Sequence, residues 1–278
     1  MRIAVASGKG GTGKTGVAVS LALSLAEAGP VTLIDADVEA PNARFFVGFD
    51  PDMAETVTIL EPVIDAEICA GCGACTRACQ FNALVMAKSA PVVFTELCHA
   101  CGACALACPH GAISERPAVV GEIRTGSEGA LTLIEGRIEI ARPSTVPVIE
   151  AVRARHDGKG DAVIDGPPGA GCGLMAATRD VDAILLVTDP TPFGLHDLEI
   201  AAEAVRESGA PVGVVLNRDG DGHDAACARI AALGLPLLAS IPDDRKIAEA
   251  YARGISFIGV DERMPDLFRD LAKKVKAL

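Results

Sequence analysis

Eight of the ten cysteines fall into two blocks of identical spacing. Cys69, Cys72, Cys75 and Cys79 read C-x₂-C-x₂-C-x₃-C, and Cys98, Cys101, Cys104 and Cys108 repeat the pattern 29 residues later. Their neighbours repeat as well. Cys-Gly-Ala-Cys occurs in both blocks, Ala precedes each fourth cysteine, and Asn82-Ala83-Leu84 is answered by Gly111-Ala112-Ile113. The region is an internal duplication. Thiolates packed this densely, in a chain with no secretory leader pattern, point to metal ligation rather than disulfides.

A second constellation stands near the start. Gly8, Lys9, Gly10, Gly11, Thr12, Gly13, Lys14 and Thr15 fill the pattern G-x-x-x-x-G-K-[ST]. An apolar run from Arg2 to Ser7 precedes it, and a stretch with helical spacing follows and is expected to end at Gly29. Strand, glycine-rich loop and helix together make a phosphate cradle. The glycines let backbone N–H groups curl around phosphate oxygens at the positive end of the helix. Lys14 is expected to reach the β- and γ-phosphates of ATP, and Thr15 to ligate Mg²⁺.

The cysteine spacing is that of bacterial-type ferredoxins with two [4Fe–4S] clusters. This resemblance implies that the fourth cysteine of each block serves the other cluster. Cluster one then takes Cys69, Cys72, Cys75 and Cys108, and cluster two takes Cys98, Cys101, Cys104 and Cys79. Gln80 stands where the second block has Pro109; neither is a ligand. Zinc is the rival metal, but zinc ribbons pair two C-x₂-C units across longer gaps.

The segment from Lys9 to Thr15 resembles the deviant phosphate loop of the MinD/ParA/Mrp/nitrogenase-iron-protein ATPases. The resemblance implies a homodimer in which Lys9 crosses the interface to the partner's nucleotide. Val31 to Asn42 resembles the family's switch I; Asp37 would position or deprotonate the attacking water, with Asp35 in support. Asp161 to Gly171 looks like Walker B and switch II. There Asp165 would hold Mg²⁺ and the region of the Gly169 N–H would sense the γ-phosphate. Asn217, closing Val-Val-Leu-Asn, matches the adenine-recognising asparagine, and Ile241 to Asp244 resembles the loop beside the base. Slow basal hydrolysis that needs a partner for full rate is implied too.

These residues require an α/β frame: a mainly parallel sheet flanked by helices, its strands read as continuous apolar runs alternating with helical stretches. The cysteine blocks lie between switch I and Walker B, so an α+β ferredoxin-like domain is inserted in the P-loop fold. The expected division is 1–60 ATPase, 61–118 ferredoxin insert and 119–278 ATPase. Early in the last stretch, Gly129 to Ala141 alternates like a hairpin turning at Glu135-Gly136. At the C-terminus, Leu267, Leu271, Val275 and Leu278 share one helical face, expected to pack on the sheet.

The chain has 278 residues, half of them hydrophobic and 3% aromatic, and a net charge of −12. An acidic surface argues against nucleic-acid binding. No apolar stretch reaches the ~18 residues of a membrane span, so no membrane attachment and a cytoplasmic location are expected. Two cysteines remain. Cys227 reads as a buried small hydrophobe. Cys172, just past switch II, resembles in position a cluster-ligating cysteine of nitrogenase iron protein, and both a redox or metal role and a packing role stay open. His196 is expected to cap or pack. The leading reading is an ATPase that couples nucleotide-driven switch and dimer changes to electron transfer, delivered to a redox or metallocofactor partner protein. The alternatives are a Mrp-like carrier that assembles iron–sulfur or other metal cofactors, and a MinD/ParA-like spatial organiser or redox-sensing regulator.

Overall fold

The computed structural model describes residues 1–278. Its strands are β1 (Arg2–Ser7), β2 (Val31–Asp35), β3 (Met53–Ile64), β4 (Leu84–Ala87), β5 (Ala90–Val93), β6 (Ile113–Glu128), β7 (Leu131–Ile138), β8 (Asp161–Pro168), β9 (Ala183–Thr188), β10 (Val212–Asp219) and β11 (Leu237–Pro242). The chain forms two compact units. One comprises Met1–Glu55, Ile123–Arg137 and Val148–Leu278; the other comprises Thr56–Glu122 and Ile138–Pro147. The expected insert, 61–118, lies inside the second unit. The division falls within β3 and β6 rather than in linkers.

In the larger unit, seven strands run in the order β11-β10-β9-β1-β8-β2-β7. Every neighbouring pair is parallel. Parallel strands are covered on both faces, which explains their unbroken apolar character. Alternate residues serve opposite cores. Ile3, Val5, Leu185 and Val187 join one; Ala4, Ala6, Ile184 and Leu186 join the other. Helices Lys14–Ala26 and Arg263–Lys276 contribute to the first core. Helices Cys172–Thr178 and Pro192–Val205 contribute to the second.

Three local expectations are corrected. The first helix stops at Ala26 with Glu27 as its cap, short of Gly29, because Ala28 N–H already tightens the last turn onto the Leu25 carbonyl (3.0 Å). No turn forms at Glu135-Gly136. β7 runs straight through both and pairs in parallel with β2, Glu135 opposite Asp35; the turn lies at Gly129-Ala130. The reason is burial. Glu135 is held inside by Arg44 at 3.2 Å, and a Cβ on Gly136 would sit 2.7 Å from Val152 and 2.8 Å from Val38. The C-terminal helix does close onto the core, but its buried face centres on Met264, Phe268, Leu271, Ala272 and Val275, while Leu278 is exposed.

In the smaller unit the duplication is structural. Each cysteine block runs into a short helix, Ala74–Ala78 and Ala103–Leu106. Left-handed backbone recurs at paired positions: Gly71 with Ala100, Gly73 with Gly102, Asn82 with Gly111. β4 and β5 form an antiparallel hairpin. The apolar core is slight: Ala83 and Leu84 together with Cys75, Cys98 and Cys104. Arg142 ties the returning segment to Glu61 (2.6 Å). No helix of the chain is long and apolar enough to cross a membrane.

Candidate active site and cysteine cavities

The phosphate-loop residues sit between the end of β1 and the first helix. Gly13 closes the loop at φ +89°, and its carbonyl accepts from Val17 N–H at 3.0 Å. A side chain there is barred twice. The backbone is left-handed, and a Cβ would lie 2.2 Å from the Asn217 amide nitrogen. That nitrogen donates to the Thr12 carbonyl at 2.7 Å. Asn217, distant in sequence, thus braces the loop and keeps its side-chain oxygen as the group it can offer a ligand.

Four ionisable side chains converge beside the loop. Lys14 Nζ lies 2.6 Å from Asp165 Oδ1 and 3.7 Å from Asp37 Oδ2. Burial disfavours its charge, but Asp165 and Asp37 outweigh burial and hold the ammonium above its usual range. Asp35 lies opposite Asp165 in the β2–β8 register. Its carboxylate accepts from the Asn42 and Ala43 amides at 2.9 Å and the Asp37 amide at 3.2 Å, which anchors the loop after β2. Burial first, and Asp165 second, push its pKa to about 8, against the pull of those amides and Lys14. Asp37 is raised as well, chiefly by burial. Asp165 Oδ2 is fully buried and has no hydrogen-bond partner. A buried, orphaned carboxylate oxygen suits a hard cation such as Mg²⁺.

Lys9 turns the other way. Its ammonium pairs with Asp189 Oδ2 at 3.0 Å and reaches Thr191 Oγ1 at 3.5 Å. Burial opposes ionisation of Asp189, but hydrogen bonds from Thr191 and Lys9 hold its carboxyl below the usual range. The Gly169 N–H donates to the Ser7 carbonyl at 3.0 Å.

A cleft of about 240 Å³ opens from the loop. Gly11, Gly13, Asn217, Asp244, Tyr251 and Phe257 help line it. Pro242, Asp243 and Asp244 line this cavity together with Asn217. Tyr251 and Phe257 carried no signal in the sequence; their rings, 6.1 Å apart, continue a chain of ring contacts from Phe46 to Phe268. Asp189, the anchor of Lys9, was also missed, though Thr188-Asp189-Pro190 at a strand end is a detectable turn signal.

The remaining singled-out residues lie elsewhere. His196 is exposed on helix Pro192–Val205, whose cap is Thr191. Cys172 is exposed at the start of its helix. Cys227 is not buried as expected: it is half-buried, and its Sγ lies 3.4 Å from His223 Nε2, because the opening turn of its helix stays at the surface.

In the smaller unit the eight block cysteines line two separate cavities. Cys69, Cys72, Cys75 and Cys108 line one; Cys79, Cys98, Cys101 and Cys104 line the other. The fourth cysteines are exchanged between blocks. Their electrostatic neighbours sort the same way: after burial, the Cys75 thiol is raised by Cys108 and Cys69, and that of Cys98 by Cys101 and Cys79, with Glu61. The exchanged sulfurs accept equivalent hydrogen bonds, Cys79 from Ala83 N–H and Cys108 from Ala112 N–H, both at 3.3 Å. No three His, Cys, Asp or Glu side chains converge as a site for a single ion. Four thiols spread around a cavity, with amides aimed at sulfur, fit a polynuclear iron–sulfur group.

Strand ends, phosphate loop and paired aspartates at the carboxyl edge of a parallel sheet define a P-loop nucleotide-binding protein. The family can be stated more closely. Residues 3–257 match the CobQ/CobB/MinD/ParA nucleotide binding domain, and the chain belongs to that family. It is 32% identical to the uncharacterized protein MJ0578 of Methanocaldococcus jannaschii, over 99% of this chain and 96% of that one. It is also similar, at 42% identity over 69 residues covering 23% of this chain and 20% of the relative, to an iron-sulfur cluster carrier protein of Synechocystis. In fold it resembles the septum site-determining protein MinD of Pyrococcus horikoshii, solved with Mg-ADP, at TM-score 0.61 and 21% identity, over 99% of this chain and 95% of that one.

Proposed function

We propose that this protein is an ATPase that couples its nucleotide cycle to electron transfer through two [4Fe–4S] clusters. One observation carries the reading: eight cysteines sort into two four-cysteine cavities, in a chain that also holds a complete phosphate-loop site.

At the nucleotide, the loop amides from Gly8 to Gly13 cradle the phosphates and Lys14 meets the β- and γ-phosphate charge. Thr15 and Asp165 hold Mg²⁺; the orphaned Asp165 oxygen supports this role. Lys14 must then exchange its bond to Asp165 for phosphate oxygens. Asp37 positions the water for in-line attack on the γ-phosphorus; the P–O bond to ADP breaks and inorganic phosphate leaves. Asn217 and the Tyr251–Phe257 side of the cleft receive the adenine. The active form is a homodimer in which Lys9 leaves Asp189 for the partner's nucleotide. In the cysteine cavities, bound clusters supply one-electron chemistry. The chain contributes the thiolates and the Ala83 and Ala112 amides that stabilise charge on sulfur.

The second reading is an iron–sulfur carrier, in which the clusters are cargo. The local similarity to an iron-sulfur cluster carrier protein favours it. One experiment separates the two. Protein reconstituted anaerobically is expected to hold about eight irons per chain. Its reduced EPR signal is then recorded with MgATP, MgADP or no nucleotide. A spectrum that shifts with MgATP in the wild type and not in Lys14→Ala supports coupling. Clusters that ignore nucleotide, and pass to an apo-acceptor or a chelator, establish the carrier instead.

A further inference from the structure

The duplication in the smaller unit permits a residue-by-residue comparison of its two cavities, because each position has a counterpart 29 residues away. Most of the surroundings match. Pro62 lines one cavity and its counterpart Pro91 the other; Leu84 and Ile113, Ala83 and Ala112 correspond in the same way. Glu67 and Glu96 are a matched pair of acids preceding the blocks. His110 lines the first cavity and His99 the second.

Fixed charge breaks the match at several positions, and two of them bear on the cavities. Arg77, on the helix after Cys75, donates through a guanidinium nitrogen to the Cys72 carbonyl at 3.2 Å, which holds a cation against the loop of the first cavity. Its counterpart is Leu106, an uncharged side chain 89% exposed to solvent. Glu115 lines the second cavity, with Oε1 3.6 Å from where a Cβ on Gly102 would stand. Its counterpart is Met86. Arg116 follows Glu115 on β6 and points to the opposite face. Two further acids do not cancel this pattern. Asp65 faces neither cavity lining and spends its carboxylate on the Glu67 and Ile68 amides. Glu61, felt by Cys98 in the second cavity, is paired with Arg142 at 2.6 Å and adds little net charge.

We propose that Arg77 and Glu115 rank the two cavities as electron acceptors. The cavity of Cys69, Cys72, Cys75 and Cys108 takes the first electron, and that of Cys79, Cys98, Cys101 and Cys104 takes the second at lower potential. The inference rests on the two-cluster reading above. Each reduction adds one negative charge to one cavity. A nearby cation favours that charge and a nearby anion opposes it. A unit charge about 10 Å away, at an effective dielectric near 20, changes the reduction equilibrium roughly tenfold, which is about 59 mV for a one-electron couple. An electron entering at the second cavity therefore passes downhill to the first, and a singly reduced protein keeps it there.

The test is anaerobic potentiometry with dithionite as the one-electron donor, followed by EPR and visible absorbance, on the reconstituted full-length protein. Two one-electron waves are expected. Arg77→Leu lowers the upper wave, Arg77→Lys leaves it in place, and Glu115→Gln raises the lower wave, each shift being three- to tenfold in the equilibrium. Arg77→Leu combined with Leu106→Arg narrows the gap or reverses the order. Two clusters that titrate as one wave, or waves that ignore all four substitutions, overturn the ranking and leave the two-cluster reading intact. A chain that takes up no iron and sulfide overturns both.

Discussion

The nucleotide site and the cysteine cavities achieve order by opposite means. The phosphate loop stands on a parallel sheet whose central strands are buried on both faces, and its charges are already engaged: Lys14 pairs with Asp165 and faces Asp37 before any ligand arrives. In the smaller unit, three of the five residues in the buried core are cysteines. Remove the thiols and little apolar surface remains to offset the chain entropy of ordering the blocks. On the two-cluster reading proposed above, the first region meets its ligand with a pre-built frame, whereas the second would need its ligand to be a frame.

The most direct way to break this contrast is to deny the cavities the metal proposed for them. Chelation of iron under oxidising conditions, or Cys75→Ser with Cys104→Ser, is expected to make the segment Thr56–Glu122 protease-sensitive by tenfold or more. The sheet unit should keep its protection and its nucleotide binding. Limited proteolysis read by mass spectrometry checks this, and a smaller unit that stays protected would show that its apolar contacts suffice.

Lys14→Ala probes the other side. It deletes the cation that pairs with buried Asp165 and faces half-buried Asp37, and is expected to lower ATP turnover on the order of 10²- to 10³-fold. Iron content after reconstitution should be unchanged, and phosphate release with parallel iron analysis reports both. Asp37→Ala sharpens the assignment within the site. Hydrolysis should fall on the order of 10²-fold while MgATP binding, measured by equilibrium titration, stays within a few-fold of wild type.

The smallest effect concerns pH. Asp35 has its folded pKa raised from the ordinary carboxylate value of 3.8 to about 8, by burial and by Asp165. The folded state therefore holds this proton more tightly than the unfolded state does. Its stabilising contribution is complete below about pH 4 and is lost as pH rises towards about 8. Nucleotide-free protein should become less stable across that window, and Asp35→Asn should flatten the slope. Denaturant midpoints across the pH range check this. An unchanged slope in Asp35→Asn would assign the dependence to another group.

Chemistry borne by local spacing was legible from the chain alone. Gly13, Lys14 and Thr15 are adjacent, and two cysteine blocks repeat within a short segment, so residue type and interval suffice to propose phosphate and metal binding. The apolar strands of the sheet were legible for a similar reason: burial on both faces leaves a continuous apolar run. Where one face carried a charged residue, as at Glu135, the same reasoning placed a turn that does not exist.

Tertiary structure decided what depends on contact between distant residues. Asn217 braces the Thr12 carbonyl across 205 positions of sequence, and Lys9 finds Asp189 and Thr191 across about as many. Tyr251 and Phe257 reach the nucleotide cleft only because the sheet brings strand ends together at one edge. Arg77 and Glu115 differ from their duplicates in sequence, yet only the fold places one at the Cys72 loop and the other beside Gly102. Spacing names the atoms that can do chemistry. Packing decides which charges face them, because electrostatic influence follows distance in space and not position along the chain.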